Sequence, residues 1–274
     1  MKAIFEFGDS PWEADLSEGI DLSIPLHFSG SQPNAFGLEE ARKEPVRVGS
    51  FVGATAEGGS VNCFSITMAP HGNGTHTECV GHIVDEQVSV CDVVPTGPIV
   101  ALVITVDPVE LGDTDETYGP RCEAADQVLT RERLAAVAKR HEWGSAADAL
   151  IIRTGPNTKE KWTWQYSQTN PAYLTKQAMD WIGESRFEHL LVDLPSVDRE
   201  EDDGWLGNHH RFWSVSLGGK RMKKTTDKTI TELVFVPNRV LDGLYALQIQ
   251  VPPFILDAAP SRPFLYPIRP RISA

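Results

Sequence analysis

The chain carries no block of Lys and Arg to offset a formal net charge of −13, and a surface of that sign repels phosphate backbones and anionic lipid. Nucleic acid and membrane surfaces are thereby excluded as expected partners. No apolar run approaches the length needed to span a bilayer. The opening MKAIFEFGDSPWEAD has no sustained apolar stretch and turns acidic at Glu6, unlike a secretory signal, so a cytoplasmic address is expected. Cysteine is sparse: Cys63, Cys79, Cys91 and Cys122 form neither a C-x-x-C pair nor a dense framework, which favours reduced thiols over disulfides. No serine sits in a G-x-S-x-G turn, so serine-hydrolase chemistry is disfavoured. Internal repeats, low-complexity tracts and a composition-marked linker are missing as well.

What is present suits a sizeable core. With 274 residues, 41% of them hydrophobic, the chain reads as one domain over 1–274. "IDLSIPL" (20–26) alternates as a half-buried strand does, and "SVNCFSITM" (60–68) is a further candidate. "IVALVITV" (99–106), "ALIIRTG" (149–155) and "HLLVDLP" (189–195) read as buried strands. Between them, "TRERLAAVAKRH" (130–141) and "TKQAMDWIGES" (175–185) read as helices with Thr130 and Thr175 as N-caps. Strand, helix, strand, helix, strand implies parallel pairing through crossovers. "TITELVFV" (229–236) and "GLYALQIQV" (243–251) return to strands, so the fold class is α/β with a mixed sheet. Three long connections stand out: 107–128, the aromatic 159–173, and 198–229; such loops more often carry function than packing.

"PHGNGTHTECVGH" (70–82) packs three histidines and a glutamate between glycines. If the part from Gly74 onward is extended, His76, Glu78 and His82 project to one side. Imidazole nitrogen and carboxylate oxygen are ordinary ligands of zinc and manganese. H-x-E alone is a weak signal, because single histidines are mostly surface or satisfied core residues. Cys79, of opposite parity to His76, is read as structural.

The same stretch resembles, in register, the signature H-x-G-T-H-x-D-x-P-x-H of the metal-dependent cyclase family that includes bacterial kynurenine formamidase and isatin hydrolase. Gly74-Thr75-His76 stand at G-T-H, Glu78 at the aspartate and His82 at the last histidine. Other segments agree in order: "ALIIRTG" with a strand ending in R-T-G, "LLVDLPSVD" (190–198) with D-x-P-S-V-D, "NHHRFW" (208–213) and "ITEL" (230–233) with A-H-R and I-x-E-N-L, and "DAAPSRPFLYP" (257–267) with D-A-S-P-x-R. The resemblance implies an α/β domain around a mixed, barrel-like sheet, assembled as a homodimer or larger homo-oligomer. It implies one or two divalent ions, zinc or manganese, that activate water for attack on an amide, lactam or ester carbonyl of a small molecule, as in an arylformamidase. Carried over by position, His76, Glu78, His209 and Glu232 are the implied metal ligands, with Glu78 bridging where there are two ions. His82 and Glu232 are the implied catalytic residues. His209 is preferred to His210 by alignment, since adjacent residues diverge and cannot both face one ion.

Departures from the signature bear on the ion count. Its first histidine falls on Gly72, with His71 one place early, so a regular strand would aim His71 away. A bulge at Gly72 or Gly74 would re-aim it as a further ligand. Glu78 is one methylene longer than aspartate, and Val80 stands where proline is expected. A single ion on His76, Glu78, His209 and Glu232 is the simpler alternative. For the substrate, Trp162, Trp164 and Trp213, with Trp205, are candidates for an aromatic wall, and Arg221, Lys223 and Lys224 of a basic loop are candidates to attract a carboxylate. Solvated charge and packed tryptophan are the competing readings. The functional alternatives are a cyclase or lactone-forming enzyme on the same site, and a non-catalytic metal- or ligand-binding descendant.

Overall fold

The computed structural model describes residues 1–7, 10–140, 147–222 and 224–271. His141, at the end of the first expected helix, and Lys223, in the basic loop, lie outside the described residues.

Ten strands form the path of the main sheet: β1 (Lys2–Phe7), β2 (Ser10–Asp15), β3 (His76–Cys79), β4 (Ile99–Val106), β5 (Ala149–Thr154), β6 (His189–Val192), β7 (Thr229–Glu232), β8 (Gly243–Gln248), β9 (Ala258–Pro260) and β10 (Phe264–Pro270). Their order across the sheet is β1-β2-β10-β8-β4-β5-β6-β7-β3-β9, and Ile20–Asp21 pairs with β10 as the eleventh strand. The centre, β4-β5-β6-β7, is parallel, and the flanks are antiparallel. The sheet is therefore mixed, as expected. Its hydrogen-bonded path stays open, because β1 and β9 do not pair and no closed barrel forms among the described residues.

The parallel strands are apolar at both parities because both faces are covered. On one face Leu102, Ile104, Leu150, Ile152, Leu190 and Val192 pack under the helices α2 (Arg131–Arg140) and α3 (Lys176–Glu184), which supply Leu134, Ala178, Met179 and Ile182. On the other, Ala101, Val103, Ala149, Ile151 and Leu191 meet Val90 and Val94, from and just beyond the short helix α1 (Val90–Val93), together with Val234 and Leu247. Both expected caps are in place: the Thr175 hydroxyl accepts from Ala178 N at 3.0 Å and Thr130 from Arg133 N at 3.3 Å. The two early strand expectations are shortened to Ile20–Asp21 and Phe64–Thr67. The latter belongs to an exposed ribbon with Arg42–Pro45, not to the core. One further helix, α4 (Gly207–Phe212), closes the site described below. No helix among the described residues is long and apolar enough to cross a membrane.

At the β6–β7 pair, His189 faces its register partner Thr229, with Nδ1 and Oγ1 2.9 Å apart. Burial depresses this imidazole to about 4, against smaller opposing pulls from Asp148 and Asp227. As pH falls below 6.5 the unfolded chain takes up a proton that the folded chain refuses, so stability is lost between about pH 6.5 and pH 4. Urea titrations at pH 7 and pH 5 are expected to show His189→Gln losing about 2 kcal/mol less than the parent over that interval.

Candidate metal centre

β3 lies between β7 and β9, and its register sets Glu232 opposite His76 and Ile230 opposite Glu78. Alternation then places His76, Glu78 and Glu232 on one face. Thr77 and Cys79 take the other, where Thr77 meets Thr231 through hydroxyls 2.8 Å apart. Upstream, Gly74 adopts φ 113°, a conformation strained for any residue with a Cβ. Its carbonyl accepts from His76 Nδ1 at 3.0 Å, which fixes the proton there and leaves the Nε2 lone pair free. That Nε2 is buried, has no hydrogen-bond partner and lies 3.5 Å from Glu232 Oε2.

His71 and His82 reach the same place by turns and not by strand alternation. His71 sits in a 3-10 turn, Pro70–Gly72, so the strand parity that would aim it away does not apply. Its Nδ1 is 3.0 Å from Glu78 Oε2 and its Nε2 2.9 Å from Asp257 Oδ2. The extended run expected from Gly74 to His82 ends at Cys79, and a second 3-10 turn, Val80–His82, folds His82 back. His82 Nδ1 is 3.2 Å from Asp257 Oδ2 and its Nε2 4.0 Å from Glu78 Oε2.

His209 is delivered by α4. Asp198 Oδ1 accepts from Asn208 N at 2.7 Å, while Oδ2 accepts from His209 N at 3.2 Å and from its Nδ1 at 2.5 Å. A carboxylate on Nδ1–H fixes the tautomer and turns Nε2 inward. There it lies 2.8 Å from Glu78 Oε1 and 3.9 Å from Glu232 Oε1. A lone pair facing carboxylate oxygens is repulsive unless a cation or proton lies between them. Glu232 Oε1 is anchored by Val197 N at 3.0 Å. His210, buried beside His209, joins none of these contacts.

The electrostatics follow from the crowding. Burial works to raise the fully buried Glu78 carboxyl, but His82 and His209 outweigh it and hold it well below its ordinary value. Burial works to lower His71, yet hydrogen bonds to Asp257 and Glu78 push it up to about 10. His209 is raised well above its usual range by Glu78 and Asp198 against the same opposing burial. Imidazolium protons thus supply the positive charge these carboxylates demand.

A divalent cation fits this donor set. Ligand atoms of His71, His76 and Glu78, of His71, His82 and Asp257, and of Glu78, His82 and His209 lie within 4.8 Å of one another in each group. His76 Nε2, buried and without a hydrogen-bond partner, is the atom an ion would satisfy. A cleft of 330 Å³ opens onto the cluster, with Phe36, Leu38 and Leu206 as its apolar wall and Arg199 at its edge.

The tryptophans expected to line that cleft do not do so among the described residues. Trp213 is buried, its ring 5.4 Å from His209 and its Nε1 donating to the Lys228 carbonyl, so it backs the imidazole. Trp205 packs on Tyr118, and Trp162 packs edge-on against Phe235. Trp164 stacks over Tyr166 at a separate cavity. The reason is that the 159–173 loop folds over the carboxyl ends of β4, β5 and β6. Arg221 and Lys224 are exposed and do not line the cleft either. Two residues of the cluster carry no role in the sequence reading: Asp257, shared by His71 and His82, and Asp198, which holds His209. Both stand in segments that carried the family resemblance.

A family model described as putative cyclase matches residues 16–199. No curated protein sequence matches the chain. Among solved structures, a predicted metal-dependent hydrolase from Bacillus stearothermophilus superposes with a TM-score of 0.55 at 16% identity, covering 90% of this chain and 97% of that one. Isatin hydrolase A from Ralstonia solanacearum gives 0.58 at 16% identity over 90% and 91%. Isatin hydrolase A from Labrenzia aggregata, bound to benzyl benzoate, gives 0.60 at 14% identity over 90% and 93%. At these identities the likeness is one of fold; the family model, spanning well over half of the sequence, establishes that the chain belongs to the putative cyclase family.

Proposed function

We propose that this chain, acting as one domain over 1–274, is a metal-dependent hydrolase that opens an amide, lactam or ester bond in a small aromatic or anionic molecule, with arylformamidase-like chemistry. The observation that carries the reading is the buried convergence of imidazole nitrogens on two carboxylates: His76 Nε2 has no partner and lies 3.5 Å from Glu232, and His209 Nε2 lies 2.8 Å from Glu78. His71, His76, Glu78, His209 and Glu232 would hold zinc or manganese. Glu78 Oε1 faces His209 and Oε2 faces His71, so each of its oxygens would be available to an ion, whether one or two are held. When bound, such an ion supplies Lewis acidity, making a carbonyl more electrophilic and a water more acidic.

The side chains supply the rest. Asp257 holds His82 by Nδ1, leaving Nε2 to take a proton from the attacking water and return it to the leaving group. Glu232, tied to Val197 N, keeps one edge of the cluster fixed. Phe36 and Leu38 offer an apolar surface to an aromatic substrate. Names among the fold neighbours, isatin hydrolase in particular, support the lactam and aromatic parts of the reading. We place the protein in the cytoplasm, in keeping with four unpaired cysteines.

Elemental analysis of protein purified without chelator is expected to find zinc or manganese. A screen over N-formyl aromatic amines, isatin-like lactams and aryl esters is expected to find turnover. Glu78→Ala should lose metal and activity together, whereas His82→Ala should keep its metal and lose roughly a hundredfold to ten-thousandfold in kcat. A protein that holds no transition metal and takes none up on titration would refute the proposal.

Asp198→Asn removes the carboxylate that turns His209 inward, and metal affinity, read by competition with a chromophoric chelator, is expected to fall roughly 10- to 100-fold. Self-association is the remaining part of the reading. The ribbon from Arg42 to Thr67 exposes Val48, Phe51, Val61, Phe64 and Ile66, apolar surface of the kind a second copy covers. Light scattering at micromolar concentration should report a dimer or larger; a monomer would remove this part alone.

A further inference from the structure

The larger cavity in the molecule is not the metal cleft. It measures 520 Å³ and shares no lining residue with that cleft. It opens at the carboxyl ends of β4, β5 and β6, where Asp107, Thr154 and Asp193 follow or end adjacent parallel strands. Open parallel sheets present ligand crevices at this edge.

The lining specifies a chemistry. Trp164 and Tyr166 stack with centroids 5.5 Å apart and planes 20° from parallel, and Trp164 leaves nearly half its surface exposed at the mouth. Three prolines, Ala172 and Leu194 add apolar wall, interrupted by Gln127, Thr169 and Asn170. At the floor, Lys161 Nζ is consumed: it donates to Asp193 Oδ2 at 2.7 Å, to the Thr154 hydroxyl at 3.0 Å and to the Thr154 carbonyl at 3.1 Å. With that pair neutral overall, Asp107 leaves the lining with an excess of negative charge. One donor remains. The Tyr166 hydroxyl is buried with no hydrogen-bond partner among the described residues, and burial together with nearby Asp193 raises its pKa, keeping it protonated. A buried donor without a partner is costly, and a ligand acceptor reaching it would remove the cost.

We propose that this cavity is a second binding site, for a planar, uncharged aromatic molecule bearing a carbonyl acceptor, stacked on Trp164 and hydrogen-bonded to Tyr166. The site is independent of the metal reading, since none of its residues touches the His71–Glu78–His209 cluster. An anion is disfavoured by Asp107, a cationic ammonium group offers the Tyr166 hydroxyl no acceptor and is costly to desolvate, and a saturated ring gives up the stacking that indole and phenol faces offer.

Four probes of similar size test this by calorimetry on the full chain, with and without prior chelation: 1-naphthamide, 1-naphthoate, 1-naphthylmethylammonium and decalin carboxamide. The amide is expected to bind with equal affinity in both preparations, and naphthoate and decalin carboxamide on the order of tenfold more weakly. Trp164→Ala, at a half-exposed position that folding tolerates, should weaken the amide about tenfold, and Tyr166→Phe about three- to tenfold. Glu78→Ala should leave its binding unchanged. The proposal is overturned if the amide fails to bind, if Trp164→Ala leaves its affinity intact, if chelation or Glu78→Ala abolishes binding, or if naphthoate or the naphthylmethylammonium ion binds more tightly than the amide.

Discussion

Glu78 is a carboxylate with no contact with water, and the architecture around it answers that one fact. A buried charge of this kind costs several kcal/mol unless it is paired and hydrogen-bonded. Three elements bring positive or metal-binding groups to it: the neighbouring turns carrying His71 and His82, and the helix carrying His209, distant in sequence. Each histidine is held from behind by an oxygen, Asp257 for the first two and Asp198 for the third. The Gly74 carbonyl does the same for His76. The inward nitrogens are therefore fixed in tautomer and direction before any ligand arrives.

Holding this arrangement requires unusual backbone close by. Leu233, next to Glu232, has φ 53°, and Leu206, next to α4, has φ 45°. Left-handed conformations in residues with a branched side chain cost roughly 1–3 kcal/mol each and persist only where the surroundings over-determine them. They do so here. Leu233 donates its N–H to Leu194 and receives the Thr75 hydroxyl on its carbonyl, while Leu206 N is held by Asp202. The first kink ends β7 immediately after Glu232, and the second launches α4, whose His209 meets Asp198.

Much of the scaffold was legible because it rests on local rules. The apolar runs 99–106 and 149–155 and the start of 189–195 became β4, β5 and β6, and threonine capped both intervening helices, since hydrophobic pattern and capping chemistry are written in neighbouring residues. The pairing of His76 with Glu232 was reachable only through resemblance, because strand register between segments 150 residues apart leaves no local trace. His71, a ligand in the strand reading only by way of a bulge, reaches the cluster because residues 70–72 form a 3-10 turn, where parity has no meaning. The tryptophans fall elsewhere for another reason: aromatic content marks a surface that matters without saying which cavity it faces, and for Trp162 and Trp164 the path of the 159–173 loop decides that.

The segment from Asp193 to Asp198 forms the wall between the two cavities. Its first residue binds Lys161 on the floor of the larger one, and its last orients His209 in the metal cleft. Between them, the Leu194 carbonyl accepts from Leu233 and Val197 N donates to Glu232. Four of six residues are thus pinned to different elements, and close-packed interiors deform little under such constraint. A wall fixed this firmly keeps the metal-side geometry from depending on what fills the larger cavity. The parallel strand ends that position Asp193 and the loop that ends in Asp198 give the fold two cavities that share no lining residue.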